Sequence, residues 1–179
     1  MEIRALRAED DRGRFRSGDS DLDRFFHVYA GQNQFRHHIG TTYVAVEAGT
    51  ICGYVTVAAG GLEIEDLPEA LRRRLPSYPL PVLRLARLAV DGAFRGQGIG
   101  KELLAFALGL ALRMRDDFGC VGVIVDAKPD AEAFYSRFGF QSLDVVEGAA
   151  GTRPLPVAMF LPVGEIDTAG RATGRTPRR

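Results

Sequence analysis

The sequence predicts an α/β layered domain, and three observations carry that prediction. Strands and helices alternate along the chain. Two of the strands are almost continuously apolar. A glycine-rich turn joins the first of these strands to a long amphipathic helix.

Each element has its own signal. Residues 22–36 read as a helix with Asp19 or Ser20 as N-cap and Leu22, Phe25, Phe26 and Tyr29 on one face. Residues 42–47 and 51–58 are β-branched runs joined at Gly49-Thr50, the pattern of a hairpin. Residues 68–75 (PEALRRRL) make a short helix with proline in its first turn. Residues 82–90 (VLRLARLAV) form a central strand covered on both faces. Residues 98–118 form a long helix with Leu104, Leu108, Ala111 and Leu112 at helical spacing. Residues 121–126 (VGVIVD) are a second buried strand. Residues 130–138 form a short helix capped by Asp130 and closed by Gly139. Residues 157–161 are the last strand. Residues 1–169 are expected to form a single domain. Residues 170–179 (GRATGRTPRR) hold four arginines, no acid and no large apolar residue, and are expected to be a disordered tail.

Composition excludes several classes. With 46% hydrophobic residues in 179, the chain can bury a core. No apolar run reaches the ~18 residues of a membrane span, and Met1-Glu2-Ile3-Arg4 lacks a signal peptide's apolar stretch. Cys52 and Cys120 cannot build a disulfide framework, so a reduced, cytoplasmic protein is expected. The 23 basic and 23 acidic residues cancel, but not locally. Residues 1–169 carry 19 basic and 23 acidic residues, a balance of −4, and the tail carries +4. Between Pro68 and Arg95, six arginines face only Glu69 and Asp91, a local +4. Lys101 and Lys128 are the only lysines, so phosphate contacts would be made by arginine forks.

The most specific feature is Arg95-Gly96-Gln97-Gly98-Ile99-Gly100, between the first buried strand and the long helix. Alternate glycines let the backbone approach a ligand closely, and the first amides of the helix have no internal partners. Such a turn binds phosphate, with Arg95 and Gln97 as further donors. A P-loop would need glycine at Arg95 and Ser or Thr at Glu102. A dinucleotide fingerprint starting at Gly96 would need glycine at Lys101.

Arg95, Gly98 and Gly100 match the Q/R-x-x-G-x-G/A motif, and the chain resembles the GNAT acetyltransferases. Residues 133–140 (AFYSRFGF) resemble that family's late helix, with its tyrosine at Tyr135. The resemblance implies a central mixed, mostly antiparallel sheet with splayed strands four and five flanked by helices. It implies acetyl-CoA as acetyl donor, no metal, and a pyrophosphate wrapped by residues 95–100. Leu88, Ala89 and Val90 would meet the pantetheine arm like an added strand. The asparagine that many relatives place seven residues before the tyrosine is Lys128 here.

Acetyl transfer to an amine needs a polarised carbonyl, a neutral amine and a protonated leaving thiolate. Tyr135 suits the last task, since a phenol of pKa about 10 stays protonated at neutral pH. Spacing alone equally allows a core tyrosine among Phe134, Phe138 and Phe140. No general base stands out. Glu63, Glu65 and Asp66 read either as acids on the substrate side or as a solvated loop. An acceptor needing little activation is therefore expected, such as an α-amino group near pKa ~7.7–8.0.

Three phrases narrow the family: residues 15–26 (FRSGDSDLDRFF), residues 78–91 (YPLPVLRLARLAVD) and residues 156–162 (PVAMFLP). Together with Thr42-Tyr43-Val44 they resemble the GNAT toxins of bacterial type II toxin–antitoxin modules. That resemblance implies acetylation of aminoacyl-tRNA, a ribbon-helix-helix antitoxin as partner and a possible homodimer. RNA binding requires cations, and Arg72, Arg73, Arg74, Arg84 and Arg87 are the candidates. A solvated helix face competes for the first three, and ion pairs to neighbouring acids compete for Arg84 and Arg87. Residues 84 and 87 differ in parity, so a regular strand sends them to opposite faces unless a bulge intervenes.

Overall fold

The computed structural model describes residues 1–143 and 156–166, so the expected tail lies outside the described residues. Seven strands follow the order β1-β2-β3-β4-β5-β7-β6 in a mixed sheet, with helices between them. The predicted α/β fold class holds. Among the described residues no helix is long and apolar enough to cross a membrane. The chain forms two compact units, Met1–Ala58 with Leu85–Gly109, and Ala59–Arg84 with the described part of Leu110–Arg179.

In the first unit, β1 (Glu2–Ala5) pairs antiparallel with β2 (Thr41–Glu47), and β2 with β3 (Thr50–Leu62). The hairpin turns at Ala48 (φ 46°) and Gly49 (φ 78°), one residue earlier than expected. Two successive left-handed residues are what a two-residue hairpin turn demands. Helix α1 (Ser20–Arg24) is capped by Asp19, whose carboxylate accepts the amides of Asp21 and Leu22. It continues through π-helical turns at Phe25–Tyr29 and Gln32–His37, and ends at left-handed His38. The wider turns shift the apolar stripe. Phe26 and Ala30 enter the core with Leu6, Phe15, Val44, Ile51, Tyr54 and Ala89, while Leu22 and Phe25 pack against its edge. Tyr29, expected on the buried face, is exposed.

In the second unit, β5 (Gly122–Ala127) pairs antiparallel with β7 (Val157–Pro162), and β7 with the two-residue β6 (Gln141–Ser142). The first half of β4 (Leu80–Val90) lies beside β5, where the Val121 amide donates to the Pro81 carbonyl at 2.9 Å. Leu62, Leu67, Leu80, Val82, Ile124, Leu143 and Phe160 form this unit's core. Helix α2 is short (Glu69–Arg72), and α3 runs Ile99–Asp117. Helix α4 (Glu132–Ser136) starts after Ala131 with no side-chain cap. Asp130 therefore does not cap it as expected, whereas Gly139 (φ 89°) closes the turn after it as predicted.

Candidate active site

The glycine turn belongs to the first unit, and its conformation is fixed from outside. Asp91, at the end of β4, accepts the Ala93 amide at 2.9 Å through one oxygen and the Arg16 amide at 2.8 Å through the other. The Gly92 amide donates back to the Arg16 carbonyl at 2.8 Å. Arg95 donates to the Ser17 carbonyl. Its guanidinium thus ties the turn to residues 16–18, a role the expected phosphate contact did not foresee. Asp23 holds this strap in turn, accepting the Ser17 amide at 2.8 Å and its hydroxyl at 2.6 Å.

Within the turn, Gly96 (φ 76°) and Gly98 (φ 83°) are exposed and left-handed, and nothing lies within 4 Å of where their Cβ atoms would be. L-residues with side chains rarely adopt that backbone. The Glu102 amide bonds the Gly98 carbonyl at 3.1 Å. The amides of Ile99, Gly100 and Lys101 precede that bond and have no partner within α3. This is a cradle for an anion at the start of a 19-residue helix. Ile99 contributes only its backbone, because its side chain is buried beside Gly53. Gln97 is exposed. Of the three β4 residues expected along the cofactor arm, Ala89 is buried while Leu88 and Val90 are half-buried. The donor set fits the pyrophosphate of a coenzyme A thioester.

Tyr135 lies in α4 of the second unit, 5% exposed. Its ring meets Phe134 edge-on at 5.1 Å and Phe140 edge-on at 5.4 Å. Burial alone pushes the phenol well above its ordinary range. Among the described residues its hydroxyl has no hydrogen-bond partner. The ring is thus a core residue, as one reading of the spacing held, and its hydroxyl is still uncommitted.

The arginines divide. Arg72, Arg73 and Arg74 are exposed in and just after α2, with Arg73 paired to Glu69 at 2.5 Å. Arg84 pairs with Asp126 at 2.8 Å, the expected competitor, although both side chains remain open to solvent. Arg87 takes no acid among the described residues. Its guanidinium lies 5.1 Å above the Phe25 ring and donates to the Ala86 carbonyl. The two arginines meet different partners. Glu63, Glu65 and Asp66 are exposed around a 3-10 turn (Ile64–Asp66), which fits the solvated loop.

Sequence reasoning missed Asp91 and the 16–18 strap as the frame of the glycine turn, and Phe25 as the partner of Arg87. The Asp-Gly pair at 91–92 and the Ser-Gly-Asp run at 17–19 were the available signals.

Comparison with known proteins agrees with this geometry. The acetyltransferase (GNAT) domain family matches residues 38–142. A tRNA-acetylating toxin of Mycobacterium tuberculosis is 34% identical over 139 residues, covering 77% of this chain and 82% of its own. Among solved structures, AtaT complexed with acetyl-methionyl-tRNAfMet superposes with a TM-score of 0.79 at 26% identity, covering 93% of this chain and 97% of its own. A tyrosine-to-phenylalanine mutant of AtaT, bound to acetyl-CoA and the C-terminus of the antitoxin AtaR, gives 0.73 at 25% identity, covering 93% and 96%.

Proposed function

We propose that this chain, which belongs to the GNAT acetyltransferase family, acetylates the α-amino group of aminoacyl-tRNA and so blocks translation in the cytoplasm. The observation that carries the chemistry is the uncommitted hydroxyl at the tip of the buried Tyr135 ring. The likeness to a tRNA-acetylating toxin and to AtaT bound to acetylated tRNA supports the acceptor.

Acetyl-CoA supplies the activated acyl carbon as a thioester. The backbone amides at 99–101 hold its pyrophosphate, and Gly96 and Gly98 let the chain close around it. The amine of the acceptor forms the new N–C bond and the C–S bond breaks. Tyr135 delivers its proton to the departing sulfur, and the proton released from the amine restores the phenol through solvent. Burial favours the neutral phenol, so the proton is in place throughout the physiological range. An α-amino group near pKa ~7.7–8.0 is partly neutral without help, which suits a site with no evident base. Arg72, Arg73, Arg74, Arg84 and Arg87 supply the cationic surface for RNA. A ribbon-helix-helix antitoxin is the proposed regulator, in keeping with the AtaR complex.

The test is incubation of the enzyme with labelled acetyl-CoA and, in parallel, charged tRNA, deacylated tRNA and a polyamine mixture. Label on charged tRNA alone is expected. Label on polyamines with none on charged tRNA overturns the acceptor and favours a small-amine acetyltransferase.

A further inference from the structure

The four rings Phe15, Phe25, Phe26 and Tyr54 are arranged in a way the proposed chemistry does not require. Tyr54 stacks on Phe26 with 4.4 Å between centroids and 6° between planes, and on Phe25 at 6.2 Å and 25°. Phe15 closes the group edge-on to both Phe26 (4.9 Å) and Tyr54 (5.4 Å). The Arg87 guanidinium caps this column from outside, 5.1 Å over Phe25. Tyr54 and Phe26 are fully buried and Phe25 is half-buried, whereas Arg87 is exposed. The column therefore has a rigid buried end and a wet cationic end.

That wet end differs from the other arginines of the basic stretch. Arg84 is pinned to a carboxylate and Arg73 to Glu69. Arg87 has one planar face on an aromatic ring and an N–H on the Ala86 carbonyl. Both contacts hold the guanidinium plane without neutralising it. A guanidinium so oriented keeps its charge and offers a flat surface to a second π system. Single-stranded nucleotides are held in this way, by stacking on aromatic or guanidinium planes beside cationic groups.

We infer that Phe25 is a positioning residue that holds Arg87 flat so that its outer face stacks on an unpaired nucleobase of the acceptor RNA. The inference rests on the proposed acceptor. The shared chemistry is a purine or pyrimidine face, which either the RNA or the adenine of the acetyl donor would present.

The experiment measures KM and kcat for charged tRNA, and separately KM for acetyl-CoA, in the full-length enzyme and in Phe25→Leu, Phe25→Trp, Arg87→Lys and Arg87→Ala. An amino-acid methyl ester, which carries no base, is a third acceptor. Phe25→Leu and Arg87→Lys are expected to raise KM for charged tRNA about tenfold, the scale of one lost stacking contact. In Phe25→Leu the KM for acetyl-CoA and turnover of the ester are expected to stay unchanged. Phe25→Trp retains a ring face and is expected to stay near the unaltered KM. Thermal unfolding of each variant separates a misfolded protein from a repositioned one. A wild-type enzyme that acetylates charged tRNA beside unchanged Phe25→Leu and Arg87→Lys overturns the inference alone. So does an effect confined to acetyl-CoA, which moves the stack to the donor. Failure of the unaltered enzyme on charged tRNA overturns the acceptor reading, and this inference with it.

Discussion

Each unit buries one tyrosine deep in an aromatic cluster, and the two hydroxyls have opposite fates. Tyr54, in the first unit, is fully buried and donates its hydroxyl to the Leu22 carbonyl at 2.9 Å. Tyr135, in the second, is almost as buried, yet its hydroxyl has no partner among the described residues. Burial raises both phenols above their ordinary range. No buried side-chain oxygen among the described residues lacks a partner, so the unpartnered Tyr135 hydroxyl is reached by solvent and is open to a ligand, whereas that of Tyr54 is spent on the fold. Burial by itself therefore does not separate a structural tyrosine from a chemical one. The hydrogen-bond inventory does.

The largest expected effect breaks this contrast at Tyr135. Tyr135→Phe keeps the ring against Phe134 and Phe140 and removes only the proton donor. Turnover is expected to fall by about 10² to 10⁴-fold, the range of a lost general acid. The melting temperature is expected to stay within about 2 °C, because no internal hydrogen bond is lost. Steady-state kinetics and calorimetry on the same preparation check both halves. A variant that keeps its activity returns Tyr135 to the core.

Tyr54→Phe should show the reverse pattern. It removes the hydroxyl's bond to the Leu22 carbonyl, which keeps the Phe25 amide as a donor, at a cost of about 0.5–1.5 kcal/mol. For a chain of this size that lowers the melting temperature by roughly 2–4 °C per kcal/mol. KM for acetyl-CoA and kcat should change less than about threefold. If Tyr54→Phe instead abolished turnover at unchanged stability, the roles of the two tyrosines would have to be exchanged.

The two tyrosines also differ in how far the sequence announced them. Tyr135 stood in a phrase, A-F-Y-S-R-F-G-F, whose spacing matched a family helix. Tyr54 stood in a β-branched run that gave only a strand, because its partner lies 32 residues away at Leu22. The same rule sorts the rest of the molecule. The glycine turn and α3 were legible because left-handed glycines and helix periodicity are local signals. The 16–18 strap and the Arg87–Phe25 contact were not, since each joins residues more than sixty positions apart. The stripe on α1 was misjudged at Tyr29 because π-helical turns break the 3.6-residue period on which it was drawn. The strands β1 and β6, of four and two residues, were too short to show any periodicity.

The contrast between the units extends to their ion pairs, where the expected effect is smallest. Arg4 and Asp10 in the first unit form a bidentate pair at 2.8 and 2.7 Å, with side chains only 17% and 10% exposed. The Arg4 guanidinium is the main cause holding the Asp10 carboxyl below its ordinary range, helped by the Arg7 amide. Arg84 and Asp126 in the second unit are 37% and 55% exposed, so water screens their attraction. Asp10 binds its proton less readily folded than unfolded. Its stabilisation is therefore present above the unfolded value of about 3.9 and is lost as pH falls through the lower folded value. Asp10→Asn is expected to cost about 1–2 kcal/mol at pH 7. The gap from the unaltered protein should close as pH drops below about 4. Asp126→Asn is expected to cost under about 1 kcal/mol, because an exposed pair contributes little at any pH. Urea denaturation of both variants between pH 3 and pH 7 measures the difference. A cost at Asp10 that persists undiminished at the acid end would show that it arises from packing of the 4–10 segment rather than from its charge.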